Sequence, residues 1–312
     1  VAHREVLPWL KAGLSLTMLL FMIRLVDWEK LWTVLRTVSL SWFFLAVVAN
    51  SCQLTLGAWR WQILLRMFTG EQLPLIMLVR YYFVGGFFNN FAPANLGGDA
   101  MRIGILFNQG RDKFAATGSV VLERLFNLAG LLLLITWVLL FQIIPISLQP
   151  AASIPIHAGF ALLFVLLVCA GMLFIWLHWQ QVAGICRRLL ELARHGWQHP
   201  GLAGQAGIIT LLQHITMMLI TLCTFNAVGV ALPAHFHLAV YAMAALALTF
   251  PITIQGVGVR EGVYVGLMTL AGVGTEDTLA ALALNYLLLI GFSVPGAVMF
   301  WLAPGSVKPQ PG

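Results

Sequence analysis

Long apolar runs, each broken by only a few polar positions, account for most of the chain. Ser39 to Trp59, Phe114 to Ile144, Ala206 to Val228 and Leu279 to Leu302 are each long enough for a bilayer crossing of about 20 residues and predict spanning helices. His157 to Trp176 adds another. Trp9 to Val26 adds a sixth, with only twelve uncharged residues between Lys11 and Arg24, whose long side chains reach opposite interfaces. Trp42 and Trp59 fit the aromatic belt, and Arg60 and Arg66 are expected to mark the cytoplasmic side.

Two stretches interrupt this pattern. Phe87 to Arg102 reads FFNNFAPANLGGDAMR, and Phe250 to Glu261 reads FPITIQGVGVRE. Pro93 to Arg102 and Pro251 to Arg260 both span nine positions, with glycines between, which suggests a duplicated element. Helix breakers and charges cannot face lipid, where an unsatisfied polar group costs several kcal/mol, so these stretches are expected inside protein or beside water. The first is predicted as a re-entrant hairpin: Pro74 to about Phe88 enters, Pro93 to Gly98 turns at depth, and Asp99 to Phe107 leaves. The second, Leu238 to Gly272, is predicted as a hairpin entering from the opposite face; two short complete crossings are the alternative for either.

The expected fold is an all-α integral membrane protein in which span, span, hairpin, span occurs twice. Residues 1–148 form the first copy and 149–312 the second, within one polytopic membrane domain of six full spans and two hairpins. Three crossings per copy is an odd number, so the copies are inverted, an arrangement characteristic of transporters. Asp27 to Thr37, with Trp28 and Trp32, is expected at an interface, Pro145 to Pro155 on the outer side, and Gln180 to Gly204 as an amphipathic cytoplasmic helix. His3, Arg4, Lys11 and Lys308 place both termini in the cytoplasm.

Composition agrees with this class. Hydrophobic residues make up 60% and charged residues 9% of the 312 positions, far from the roughly one-quarter charged content of soluble domains. The net charge of +6 is expected to orient the chain and to meet anionic headgroups; scattered basic residues argue against nucleic acid. Cys52, Cys169, Cys186 and Cys223 lack metal spacing, and His235-x-His237 lacks a third ligand, so no metal or cofactor is expected. No small-residue cleavage site follows the first apolar run, so it is not read as a cleaved signal.

The charges within apolar stretches are the candidate chemistry: Asp99, Arg102, Glu123, Arg124, Arg260 and Glu261. Glu123 lies about 13 Å along the helix from Phe114, well inside the slab. Such groups pair or face water. One motif arginine is expected to pair with Glu123 while another stays open to a lipid phosphate, whose oxygens the guanidinium fork matches. The alternative is that all six only tie the broken helices to their neighbours. Asn89, Asn90, Gln255 and Asn285 serve freed backbone groups or line a polar path, with Asn90 and Asn95 added as candidate headgroup contacts. Arg80, Tyr81 and Tyr82 read as interfacial anchors.

The runs PANLGGDAMRIGIL, SVVLERLFNLAGLLLL and FPITIQGVGVREGVYVGL resemble the membrane part of bacterial lysylphosphatidylglycerol synthetases and related free-standing flippase-like proteins. The resemblance covers nearly the whole chain. It implies movement of a phospholipid or lipid-linked headgroup between leaflets of a bacterial inner membrane, with the six charged residues at the motif positions. The synthetases add a soluble aminoacyl-transferase domain that is not seen before Gly312, so lipid aminoacylation is not expected.

Taken with the absence of an ATP-binding P-loop, this predicts a non-enzymatic carrier of phosphate-bearing lipids driven by a lipid or ion gradient, or by protonation of Glu123. A homodimer and a lipid-synthesising partner enzyme are open partners. The alternatives are a headgroup transferase using Asp99 or Glu123 as general base, or a scaffold for a lipid synthase.

Overall fold

The computed structural model describes residues 38–90, 96–140, 191, 194, 196–249 and 258–302. The predicted spans Trp9 to Val26 and His157 to Trp176, the Asp27 to Thr37 and Pro145 to Pro155 segments, most of Gln180 to Gly204, and both termini lie outside these residues. So do positions 91–95 and 250–257, which include Asn95 and Gln255, and Cys169 and Cys186.

The elements defined over the described residues are helical. They are α1 (Leu40–Thr69), α2 (Leu75–Asn89), α3 (Leu96–Asn108), α4 (Lys113–Leu140), α5 (Pro200–Ala227), α6 (Ala234–Leu248), α7 (Val259–Leu270) and α8 (Thr275–Leu302). Residues 1–144 and 201–312 form one compact unit and residues 145–200 a second. Among the described residues, α1, α4, α5 and α8 are long and apolar enough to cross a membrane, and α2 and α6 are shorter apolar helices.

Helix ends follow local chemistry. Gly70 adopts φ +70, a left-handed conformation that glycine tolerates without penalty, and its N–H closes α1 on the Arg66 carbonyl at 2.9 Å. Pro74 and Pro233 precede α2 and α6, where a fixed φ suits a first turn. At the other end of α1, the Ser39 N–H donates to the Ala227 carbonyl at 2.8 Å, tying the start of α1 to the end of α5.

This contact, with Arg60 meeting Thr210 and Ile63 and Leu64 packing near Ala206 and Ile209, makes α1 and α5 antiparallel. One correction to the sequence reading follows. The span expected to end at Trp59 continues to Thr69, so Arg60 does not mark an interface but is buried in the helix. No proline lies between Ser39 and Gly70, and a carboxylate from α4 compensates the charge, so the helix has no reason to stop.

Polarity is distributed inside out. Leu40, Phe44, Leu133 and Leu212 are exposed, as lipid-facing side chains should be, while Thr210, Gln213, His214, Thr221 and Thr224 form a buried polar stripe on α5. Their partners come from five helices: Arg60 of α1, the Asn127 carbonyl of α4, Tyr241 of α6, Tyr264 of α7 and Asn285 of α8. A carbonyl only accepts, so His214 must donate to Asn127 from Nε2 (3.2 Å), and its Nδ1 then accepts the Tyr241 hydroxyl (2.8 Å). Gly130 permits this approach: a Cβ there would stand 2.9 Å from His214 Nε2 and 2.8 Å from the Thr210 methyl.

His237, in the first turn of α6, is fully buried against the Phe225 ring (5.5 Å), and neither ring nitrogen has a hydrogen-bond partner. Leaving a buried polar group unsatisfied costs about 1–3 kcal/mol. His237→Leu is therefore expected to hold or raise the thermal midpoint in detergent micelles; a fall of several degrees contradicts an apolar, partnerless setting.

Candidate functional site

The first breaker stretch places two short helices, α2 and α3, against each other. Gly85 and Gly98 face one another so closely that a Cβ on Gly98 would press on the Gly85 carbonyl and stand 2.5 Å from Asn89 Oδ1. Asn89 uses that oxygen to accept the Gly98 N–H at 2.6 Å, satisfying a first-turn donor of α3 that has no partner within its own helix. α3 thereby carries Asp99 and Arg102, one turn apart, into the interior, and both are buried.

There they meet α4 and α1. Arg102 donates from Nη2 to Asp99 Oδ1 (2.5 Å) and from Nη1 to Glu123 Oε2 (2.8 Å). Arg60 donates to Glu123 Oε1 at 2.9 Å and to Thr210 at 3.1 Å. Arg124 reaches Asp99 Oδ2 from Nε (2.6 Å) and Nη2 (2.5 Å). The Tyr82 hydroxyl also donates to Glu123. The Arg102 guanidinium lies 4.5 Å from the Tyr82 ring centre and 5.0 Å from that of Trp61, so aromatic faces cover it where carboxylates do not.

Among the described residues, three guanidinium groups thus share two carboxylates. Arg60, Asp99, Arg102 and Glu123 are nearly closed off, whereas the Arg124 side chain is 47% exposed.

Of the sequence candidates, Asp99, Arg102, Glu123 and Arg124 come together here. Asn90 is buried and donates to Ser293 of α8, joining α2 to α8. Arg260 and Glu261 form a separate group at the start of α7. Glu261 accepts the Gly258 N–H (2.5 Å) and the Tyr286 hydroxyl (2.6 Å), and Arg260 lies over the Tyr286 ring at 4.4 Å. Among the described residues, no ion pair or hydrogen bond joins the two groups. Asn285 donates to Thr224 and to the Ala281 carbonyl, so it serves structure.

Two members of the cluster were read differently from the sequence. Arg60 was expected at an interface and Tyr82 as an interfacial anchor; both instead bind Glu123. Gly57 is the signal that places Tyr82: a Cβ there would lie 2.5 Å from Tyr82 Cε1, so the missing side chain makes room for the phenol on its way to Glu123. Arg80 is exposed, and Tyr81 accepts a hydrogen bond from Gln109.

Comparison with curated proteins gives no match to this chain. A family described as the lysylphosphatidylglycerol synthase TM region matches residues 9–295. That match spans most of the chain and contains every charged residue of both groups, and the protein therefore belongs to the family of the lysylphosphatidylglycerol synthase TM region.

Proposed function

We propose that the protein moves a phospholipid or lipid-linked anionic headgroup between bilayer leaflets. The observation that carries this reading is a buried cluster of three guanidinium groups and two carboxylates, counted among the described residues, whose Arg124 side chain is half exposed. A cation in an apolar slab is costly unless neutralised, and a headgroup phosphate supplies both the charge and the oxygen acceptors that a guanidinium takes in pairs. The acyl tails stay in lipid while the headgroup follows the polar interior. The family's tie to lipid headgroups supports the same substrate class.

The helix lengths support the inverted-repeat reading. α2 and α3 have 15 and 13 residues, and α6 and α7 have 15 and 12. At 1.5 Å per residue these are about 18–22 Å long, short of the ~30 Å hydrocarbon core. Each pair flanks a proline-containing stretch, and the two pairs are read as re-entrant hairpins entering from opposite faces. As for general-base catalysis, both Asp99 and Glu123 are already engaged by guanidinium groups, which favours charge balance over proton abstraction as their role.

Arg124 rather than Arg102 is the diagnostic position, because Arg102 holds the cluster together. Headgroup-labelled phospholipid in proteoliposomes, quenched from outside, reads the transfer rate. Arg124→Ala is expected to slow transfer about tenfold or more, as loss of a charge-assisted contact implies, and Arg124→Lys to restore part of it. Equal rates in wild type, Arg124→Ala and protein-free vesicles would end the proposal.

A further inference from the structure

We infer that Arg260 is a second oxyanion site, one that takes two oxygens of a phosphate along a single edge of its guanidinium. The inference rests on the carrier reading and specifies where, beyond the Arg124 cluster, a phosphate is held.

Gly258, at φ +85, turns the chain into α7, and Glu261 is committed there on both oxygens, to the Gly258 N–H and the Tyr286 hydroxyl. Glu261 Oε1 stays 3.6 Å from Arg260 Nε, beyond hydrogen-bond range. Tyr286 lies under the flat face of the guanidinium, 4.4 Å from its carbon.

The result is an unusual deficit. Arg260 Nε and Nη2 are both buried and, among the described residues, neither has an acceptor. These two nitrogens form the side-on edge of the fork, the one that binds a carboxylate or phosphate through two parallel hydrogen bonds. The partly buried side chain also sits in the first turn of α7, where the positive end of the helix dipole favours an anion. Arg102 differs, since carboxylates from two helices already fill it. Arg260 therefore holds a place for an oxyanion that no described residue supplies, either the phosphodiester of a lipid headgroup or free phosphate.

The test uses the whole protein in maltoside micelles, which contain no phosphorus, with two probes: inorganic phosphate and dihexanoylphosphatidylglycerol. Phosphorus NMR line width reads binding. Wild type is expected to broaden the lipid resonance several-fold. With the Arg124 contact removed in an Arg124→Ala background, Arg260→Met should abolish the remaining broadening, and Arg260→Lys, which keeps the charge but not the fork, should recover little of it. Broadening of the lipid alone assigns the site to headgroups; broadening of inorganic phosphate as well assigns it to phosphate oxyanions of either origin. Equal broadening by Arg124→Ala with and without Arg260→Met overturns the site.

The thermal midpoint without probe separates a structural role. Arg260→Met is expected to match or exceed wild type there, because it removes an unsatisfied charge, and a sharp fall would make Arg260 a packing tie and overturn the inference. Micelles have no second leaflet, so this binding result stands or falls apart from the transfer assay that tests the carrier reading.

Discussion

Glu123→Ala is expected to destabilise the protein by about 3–5 kcal/mol, the cost of leaving buried opposite charges without their partner. Glu123 accepts from Arg60, Arg102 and Tyr82, which come from α1, α3 and α2. Its loss strands Arg60 most completely, since Arg102 retains Asp99 while Arg60 keeps only Thr210. A pair of variants distinguishes this cause from a simple loss of side-chain volume. Glu123→Met alone should be strongly destabilising, whereas Glu123→Met combined with Arg60→Met should recover a large part of the loss, because no guanidinium is then left without a carboxylate. Thermal unfolding in micelles, followed by far-ultraviolet circular dichroism, measures both. A double variant no more stable than Glu123→Met contradicts the electrostatic account.

The second large effect is expected at Gly296, where α8 crosses α2. A Cβ there would press on the Phe83 carbonyl oxygen, lie 2.9 Å from the Phe83 carbonyl carbon and 3.0 Å from Phe87 Cβ. Backbone cannot rotate aside as a side chain can, so the helices must separate. Separation disturbs the packing on which the Asn90 to Ser293 bond depends. Gly296→Ala should cost about 1–3 kcal/mol, in the range of overpacking a tight core. A Cβ on Gly291, five residues earlier in α8, would meet nothing within 4 Å. Gly291→Ala should be neutral or stabilising by up to about 1 kcal/mol through helix propensity. Equal effects at the two glycines contradict the close crossing.

The expected spans over α4, α5 and α8 were legible because apolar runs of this length, broken by few charges, have few other stable forms. The short helices were legible from the two stretches in which proline and glycine cluster with polar residues, Phe87 to Arg102 and Phe250 to Glu261. Asp99, Arg102, Glu123 and Arg124 stood out because charge is rare in such segments. What the linear pattern does not carry is which face of each helix meets which neighbour. Arg60 looks the same in sequence whether it ends a helix at an interface or lies inside one, and its carboxylate partner is 63 positions away. Tyr82 has the composition of a belt residue, yet its partner lies 41 positions away, across a gap opened by Gly57. The polar stripe on α5 is spaced in the sequence like an ordinary helix face. Only the packing of α1, α4 and α6 around it shows that Thr210 and His214 are buried and bonded.

The central claim is that the outward-facing guanidinium of the buried cluster receives a lipid phosphate within the membrane. An experimental structure in a phospholipid nanodisc, at a resolution that separates headgroups from tails, tests it most directly. The account predicts phosphate density within hydrogen-bond distance of Arg124, below the plane of the surrounding headgroups. Acyl-chain density alone beside Arg124, with every phosphate at the two surfaces, would contradict it.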